Sequence, residues 1–157
     1  MQINLVCIGK TDDKEISSLI NYYIKRLPKH WNFEIIEIPD VRNAKNLSPD
    51  LLKKEEAKLF MNHIDRTDLV MILDEKGKQF TSREFAQKID GWMNSSVKKI
   101  HFLIGGAYGF SEDMYNRANE KMSLSKMTFT HQMIRLFIVE QVYRADQILQ
   151  GKPYHND

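Results

Sequence analysis

The sequence predicts an α/β domain built on a mostly parallel sheet. Short apolar runs alternate with stretches whose apolar residues keep helical spacing, and the runs end in glycine, proline or a helix-capping residue. Because helical segments separate the runs, the connections are right-handed crossovers between parallel strands.

Residues 3–8 (Ile-Asn-Leu-Val-Cys-Ile), closed by Gly9, read as a strand buried on both faces. Asp12 or Asp13 can cap a helix in which Ile16, Leu19, Ile20, Tyr23, Ile24 and Leu27 keep one face until Pro28. A second strand, 33–38, ends at Pro39. Ser48 and Pro49 supply an N-cap and a first-turn proline for a helix running through Leu51, Leu52, Ala57, Leu59 and Phe60 to about 64. Residues 69–73 form the next strand. Thr81-Ser82-Arg83-Glu84 is a capping box ahead of Phe85, Ile89 and Trp92. Residues 100–104 make a further strand ending in Gly105-Gly106, Ser111 opens a short helix, and 122–125 make a last short strand. The final helix, 131–150, carries Met133, Ile134, Phe137, Ile138, Val142, Ala145, Ile148 and Leu149 on its apolar side and stops at Gly151 and Pro153.

A chain of 157 residues without repeats or linkers fits a single domain, 1–157. One cysteine, Cys7 in an apolar run, excludes a disulfide framework or a thiolate-rich zinc site and reads as a small core residue. No apolar run approaches the ~20 residues of a bilayer span, and the N-terminus lacks the basic region of a signal peptide. The expected setting is the cytoplasm, with no membrane contact. The net charge of +2 is too small to announce nucleic acid, although residues 121–157 hold five basic residues against three acids.

Open parallel sheets bind ligands beyond the carboxyl ends of their strands. Three loops there are unusual: 74–78 (Asp-Glu-Lys-Gly-Lys), 105–109 (Gly-Gly-Ala-Tyr-Gly) and 125–130 (Ser-Lys-Met-Thr-Phe-Thr). Glycine lets a ligand approach bare backbone, yet a glycine turn after a strand more often serves a tight connection. Neither a dinucleotide fingerprint nor a phosphate-binding loop is present. No zinc motif or nucleophile elbow appears, and no metal site is expected. His30, His63 and His101 stand alone and read as surface or satisfied core histidines. Glu140, Tyr143 and Arg144, with Tyr154 and His155 beyond the helix, form a polar group near the terminus that could equally be frayed surface. From the residues alone, the chain is a cytosolic α/β domain with a pocket formed by its late loops.

Four separated motifs add a resemblance. Residues 103–109 (Leu-Ile-Gly-Gly-Ala-Tyr-Gly), 124–135 (Leu-Ser-Lys-Met-Thr-Phe-Thr-His-Gln-Met-Ile-Arg), 140–145 (Glu-Gln-Val-Tyr-Arg-Ala) and Pro153-Tyr154-His155 closely resemble the RlmH family of SPOUT methyltransferases. Ile8-Gly9-Lys10 and Leu73-Asp74-x-x-Gly77-Lys78 match as well, so the similarity runs the length of the chain. The resemblance implies a SPOUT-type α/β fold, with helices on both faces of the sheet and a trefoil knot formed by roughly 100–157. It implies S-adenosylmethionine bound by Leu73, Gly105, Gly106 and the run Leu124, Ser125, Lys126, Met127, Thr128, Phe129 and Thr130. The implied reaction is methylation of N3 of a pseudouridine in 23S ribosomal RNA, on the assembled large subunit's ribosome.

The same resemblance implies a homodimer with each tail reaching its neighbour's pocket, a use for the bulk of Phe137, Ile138, Val142 and Tyr143. His155 is then expected as proton acceptor or orienter, Tyr154 as a group that stacks on or bonds the base, and Arg144 and Arg135 as phosphate contacts. Two departures from the family pattern stand out: Thr130 where proline is common, which loosens that loop, and Asn156-Asp157 where a basic residue is usual, which weakens phosphate attraction at the tail. Two alternatives stay open: a methyltransferase for another ribosomal or transfer RNA base, and a non-catalytic nucleotide- or RNA-binding module.

Overall fold

A computed structural model describes all 157 residues. Its elements are β1 (Gln2–Ile8), α1 (Lys14–Ile24), β2 (Phe33–Ile38), α2 (Pro49–Met61), β3 (Leu69–Gln79), α3 (Ser82–Met93), β4 (Lys99–Ile104), α4 (Glu112–Arg117), β5 (Glu120–Ser123) and α5 (His131–Leu149). The strands form one sheet in the order β2-β1-β4-β3-β5, with every neighbouring pair parallel.

Alternation along the strands divides the core into two layers. Ile3, Leu5 and Cys7 of β1, Met71 of β3 and Ile100, Phe102 and Ile104 of β4 face α1, α3 and α5, meeting Ile20, Phe85, Ile89, Ile138 and Val142. Val6, Val70, Ile72 and Leu103 point the other way, against Ala57 and Phe60 of α2 and Met114 of α4. Helices therefore cover both faces. Cys7 is buried in the first layer, where burial raises its thiol pKa to about 11. It is a core residue.

The expected caps form. Asp13 accepts from the Ile16 N–H (3.0 Å), Ser48 from Leu51 (3.2 Å) and Ser111 from Met114 (3.4 Å), while Thr81 and Glu84 close a reciprocal box. Some boundaries differ from expectation. The helical hydrogen bonds of α1 end at Ile24, and the chain turns in a 3₁₀ segment that buries Trp31. The strand expected at 69–73 continues to Gln79, because Leu73 and Lys78 both pair with Met122 and the four residues between them loop out. Gly77 makes this possible: a Cβ there would lie 2.6 Å from the Met122 backbone nitrogen. Paired to this bulge, β5 sits two residues earlier than expected, leaving Leu124 and Ser125 in the loop beyond it.

Candidate active site

The bulge of β3 and the carboxyl ends of β4 and β5 converge on a cleft of about 590 Å³, a size suited to a nucleoside-like ligand. Its apolar walls are Leu73, Ile104, Phe110, Leu124, Phe129 and Ile134; Asp74 and Glu75 are balanced by Lys53 and Lys76. Neither sign of charge dominates, which does not suit a polyphosphate but accommodates a ligand carrying a single cation. The Tyr115 hydroxyl donates to the Asp74 carboxylate, and burial together with that bond pushes the phenol to about 12. No cluster of three metal-binding side chains is present.

Each wall follows from local chemistry. The Gly109 N–H donates to Gly106 O (3.0 Å), closing a tight turn that holds Tyr108 outward, 57% exposed at the cleft's edge; Gly109 has φ +79°. The structure gives the paired glycines a reason different from ligand approach. A Cβ at Gly105 would meet Gly109 O at 3.1 Å, and one at Gly106 would overlap the Glu56 carboxylate, 2.6 Å from Oε2. Behind both glycines, protein already fills the space. On the facing wall, Ser123 Oγ donates to Ser125 O (2.8 Å) and the Met127 N–H to Ser125 Oγ (3.0 Å), shaping the run into α5.

Of the ten residues expected to hold a cofactor, Leu73, Gly105, Gly106, Leu124, Ser125, Met127, Thr128 and Phe129 line this cleft. Lys126 points to solvent. Thr130 caps α5, accepting from the Met133 N–H (3.3 Å). Its φ of −63° is the angle proline would impose, so the loop keeps proline's geometry and gains a cap that proline lacks. His131, at the end of the 124–130 run, also lines the cleft, as do Tyr115 and Lys53, which no motif marks because their position comes from packing between distant segments.

Arg144, Tyr154 and His155 form a separate cluster, and none of them lines this cleft within the chain. Arg144 Nε donates to Glu140 Oε1 (3.1 Å), the Tyr154 hydroxyl donates to the same oxygen (2.9 Å), and the Tyr154 ring lies under the Arg144 guanidinium (4.7 Å). Arg144 Nη1 lies 3.2 Å from His155 Nδ1, and His155 Nε2 lies 2.8 Å from Asp157 Oδ1. Because Arg can only donate and a carboxylate only accept, this network assigns a neutral imidazole with its proton on Nε2. Burial and bonds to Tyr23 and Glu140 raise the Tyr154 pKa far above that of a free phenol, so Tyr154 remains protonated. Asp157 is bound by Arg83 (2.8 Å to Nε), so the acid at the tail is paired within the chain.

Arg135 corrects an expectation. It is 2% exposed and donates to Ile8 O (2.8 Å), Gly9 O (3.1 Å) and Thr11 Oγ1 (2.9 Å), tying α5 to the end of β1. A guanidinium engaged inward cannot reach a phosphate. His101 is fully buried at the amino end of the sheet, 2.8 Å from Asp68 and 3.4 Å from Asn4, a satisfied core histidine away from the cleft. Phe137 and Tyr143 are half-buried, packed on Phe129 (5.0 Å) and Tyr154 (4.9 Å), so part of the bulk of α5 is already used inside the chain. No helix is long and apolar enough to cross a membrane.

A family model described as "Predicted SPOUT methyltransferase" matches residues 1–155. Among curated proteins, the "Ribosomal RNA large subunit methyltransferase H" of Christiangramia forsetii is 51% identical over 156 residues, covering 99% of each chain. The proteins of the same name from Cytophaga hutchinsonii (51%, 99% of this chain and 100% of that one) and Flavobacterium johnsoniae (48%, 99% of each) are similarly close. Among solved structures, a probable methylase family protein from Haemophilus influenzae aligns with a TM-score of 0.60 at 12% identity, over 99% of this chain and 70% of that one, a likeness of fold.

Proposed function

The chain belongs to the SPOUT methyltransferase family, and from that premise we propose that it methylates N3 of a pseudouridine in 23S ribosomal RNA, with S-adenosylmethionine as donor. The observation that carries the donor is the convergence of Leu73, Gly105, Gly106 and five residues of the run 124–129 on one cleft of nucleoside size, without a phosphate loop or a metal cluster. The RNA substrate rests on the names of relatives sharing about half of the sequence along its whole length. In this reading the chain is one cytoplasmic domain whose residues 100–157 thread as a knot. It works as a homodimer on assembled ribosomes.

When bound, S-adenosylmethionine supplies a methyl group on a cationic sulfur. Backbone groups at Gly105, Gly106 and 124–129 would hold the adenosine part, with Leu73 and Phe129 as apolar walls. With Asp74 and Glu75 offset by Lys53 and Lys76, the cleft carries no net charge that would repel a ligand bearing one positive charge. The chain's remaining task is to orient the base and move its N3 proton, since the nitrogen attacks best once deprotonated. Of the His155 nitrogens, Nε2 carries a proton and Nδ1 accepts from Arg144, so Nδ1 is the atom able to take one when Arg144 turns toward RNA. Glu140 holds both Arg144 and the Tyr154 hydroxyl in the free chain, and Tyr154, which stays protonated, offers a donor and a ring face to the base once that pairing opens. Because this cluster lies outside the chain's own cleft, the dimer brings it to the neighbour's.

Isothermal titration with S-adenosylmethionine tests the premise. Saturable heat near one ligand per chain is expected, and absence of heat at millimolar cofactor overturns the methyltransferase reading.

A further inference from the structure

On α2, Leu52, Glu56 and Phe60 stand four residues apart, so they share one stripe of the helix, and all three are buried. The outer two are apolar. The middle one is a carboxylate, 5% exposed. An isolated buried carboxylate is strongly disfavoured unless hydrogen-bonded. No cation offsets this one: burial and the like charge of Asp40 both raise its pKa, and the adjoining Gly106 backbone lowers it. The residue therefore sits where an apolar side chain would serve the core better. What it touches is the backbone of the glycine turn. Gly106 lies so close over the carboxylate that a Cβ could not be accommodated. Lys53, one turn earlier on α2, lines the cleft itself, so the helix lies directly behind that wall.

We propose that Glu56 is a positioning residue for the cofactor: its carboxylate holds Gly106 from behind and fixes the 105–109 turn in the shape that lines the cleft. This rests on the methyltransferase reading for the ligand but not for the turn. Glu56 is not among the residues that line the cleft, so its part is to support the wall from behind. Its effect is on binding, by keeping the loop formed before the cofactor arrives.

The test compares three variants by titration with S-adenosylmethionine, by turnover on ribosomes and by hydrogen exchange of amides 104–110 in the ligand-free protein. Glu56→Gln keeps the shape and an oxygen acceptor, and should bind within about threefold of the wild type. Glu56→Met, similar in size but without an acceptor, should weaken binding by about tenfold or more, the scale of one hydrogen bond to a charged group. It should also speed exchange at 104–110, raise KM for the cofactor and leave kcat at saturating cofactor unchanged. If Glu56→Met fails to fold, Glu56→Asp, which withdraws the carboxylate by one methylene, should show the same faster exchange and weaker binding. Wild-type exchange at 104–110 in Glu56→Met or Glu56→Asp overturns the proposal. So does a loss in Glu56→Gln as large as in Glu56→Met. If the wild type gives no heat with the cofactor, the methyltransferase reading fails, and exchange at 104–110 still decides the role of Glu56.

Discussion

The two ring nitrogens of His155 are both engaged, one by a donor and one by an acceptor, so the free chain holds its imidazole oriented and neutral. If His155 moves the N3 proton, His155→Ala should slow methylation about 10²- to 10⁴-fold, the usual range for a lost acid–base group, while cofactor affinity stays near the wild type. Normal single-turnover rates in that variant would remove the role. His101 shows the opposite use of the same residue type. Burial lowers its pKa from the ordinary 6.5 despite the bond to Asp68, and His131 at the cleft is lowered too. For a base whose folded pKa is depressed, the unfolded chain binds the proton first. Stability is therefore whole above the ordinary histidine pKa and declines as pH falls below it. Thermal melts from pH 7.5 to 5 should show this decline, and in His101→Gln it should be smaller. An unchanged pH slope in that variant would contradict the buried neutral assignment.

At the scale of elements, α5 carries the most consequence, because its first turn ends the cleft wall and its last turns hold the tail cluster. Thr130→Ala removes the cap and should destabilise the protein by about 1 kcal/mol in chemical denaturation, whereas Thr130→Pro, compatible with φ −63°, should cost less. The strands and most helices were legible because their signals are local. Apolar runs such as 100–104, the box at Thr81 and Glu84, and the stop at Gly151 need no distant partner. The rest was hidden for a physical reason. The extension of β3 through Asp74 and Lys78 is polar and exists only because β5 pairs with it across a bulge. Lys53-Lys54-Glu55-Glu56 reads as a solvated charge run, and nothing within it reveals that Glu56 turns inward to meet Gly106, fifty residues later. The loops lining the cleft were visible as glycine and polar interruptions; their convergence is a property of the sheet order. Arg135, expected from the resemblance as a phosphate contact, is instead turned inward, its donors satisfying the carbonyls at the end of β1.

For the whole molecule, Arg144, Tyr154 and His155 do not line the cleft of their own chain, and the proposed mechanism uses both. Two copies meet that need if each tail serves the other's cleft. Leu19 and Tyr22, both 48% exposed on α1, and Leu149 at 37% on α5 leave apolar surface open in the single chain. Light scattering at micromolar concentration should therefore give twice the 18.5 kDa of one chain, and a monomer would count against the composite site. The central claim is the transfer itself. Ribosomes from cells lacking this enzyme, incubated with the protein and methyl-labelled S-adenosylmethionine, can be digested and their nucleosides resolved by mass spectrometry. The account predicts label in a single nucleoside, an N3-methylated pseudouridine from 23S RNA; label in any other nucleoside, or none in a preparation that binds the cofactor, would contradict it.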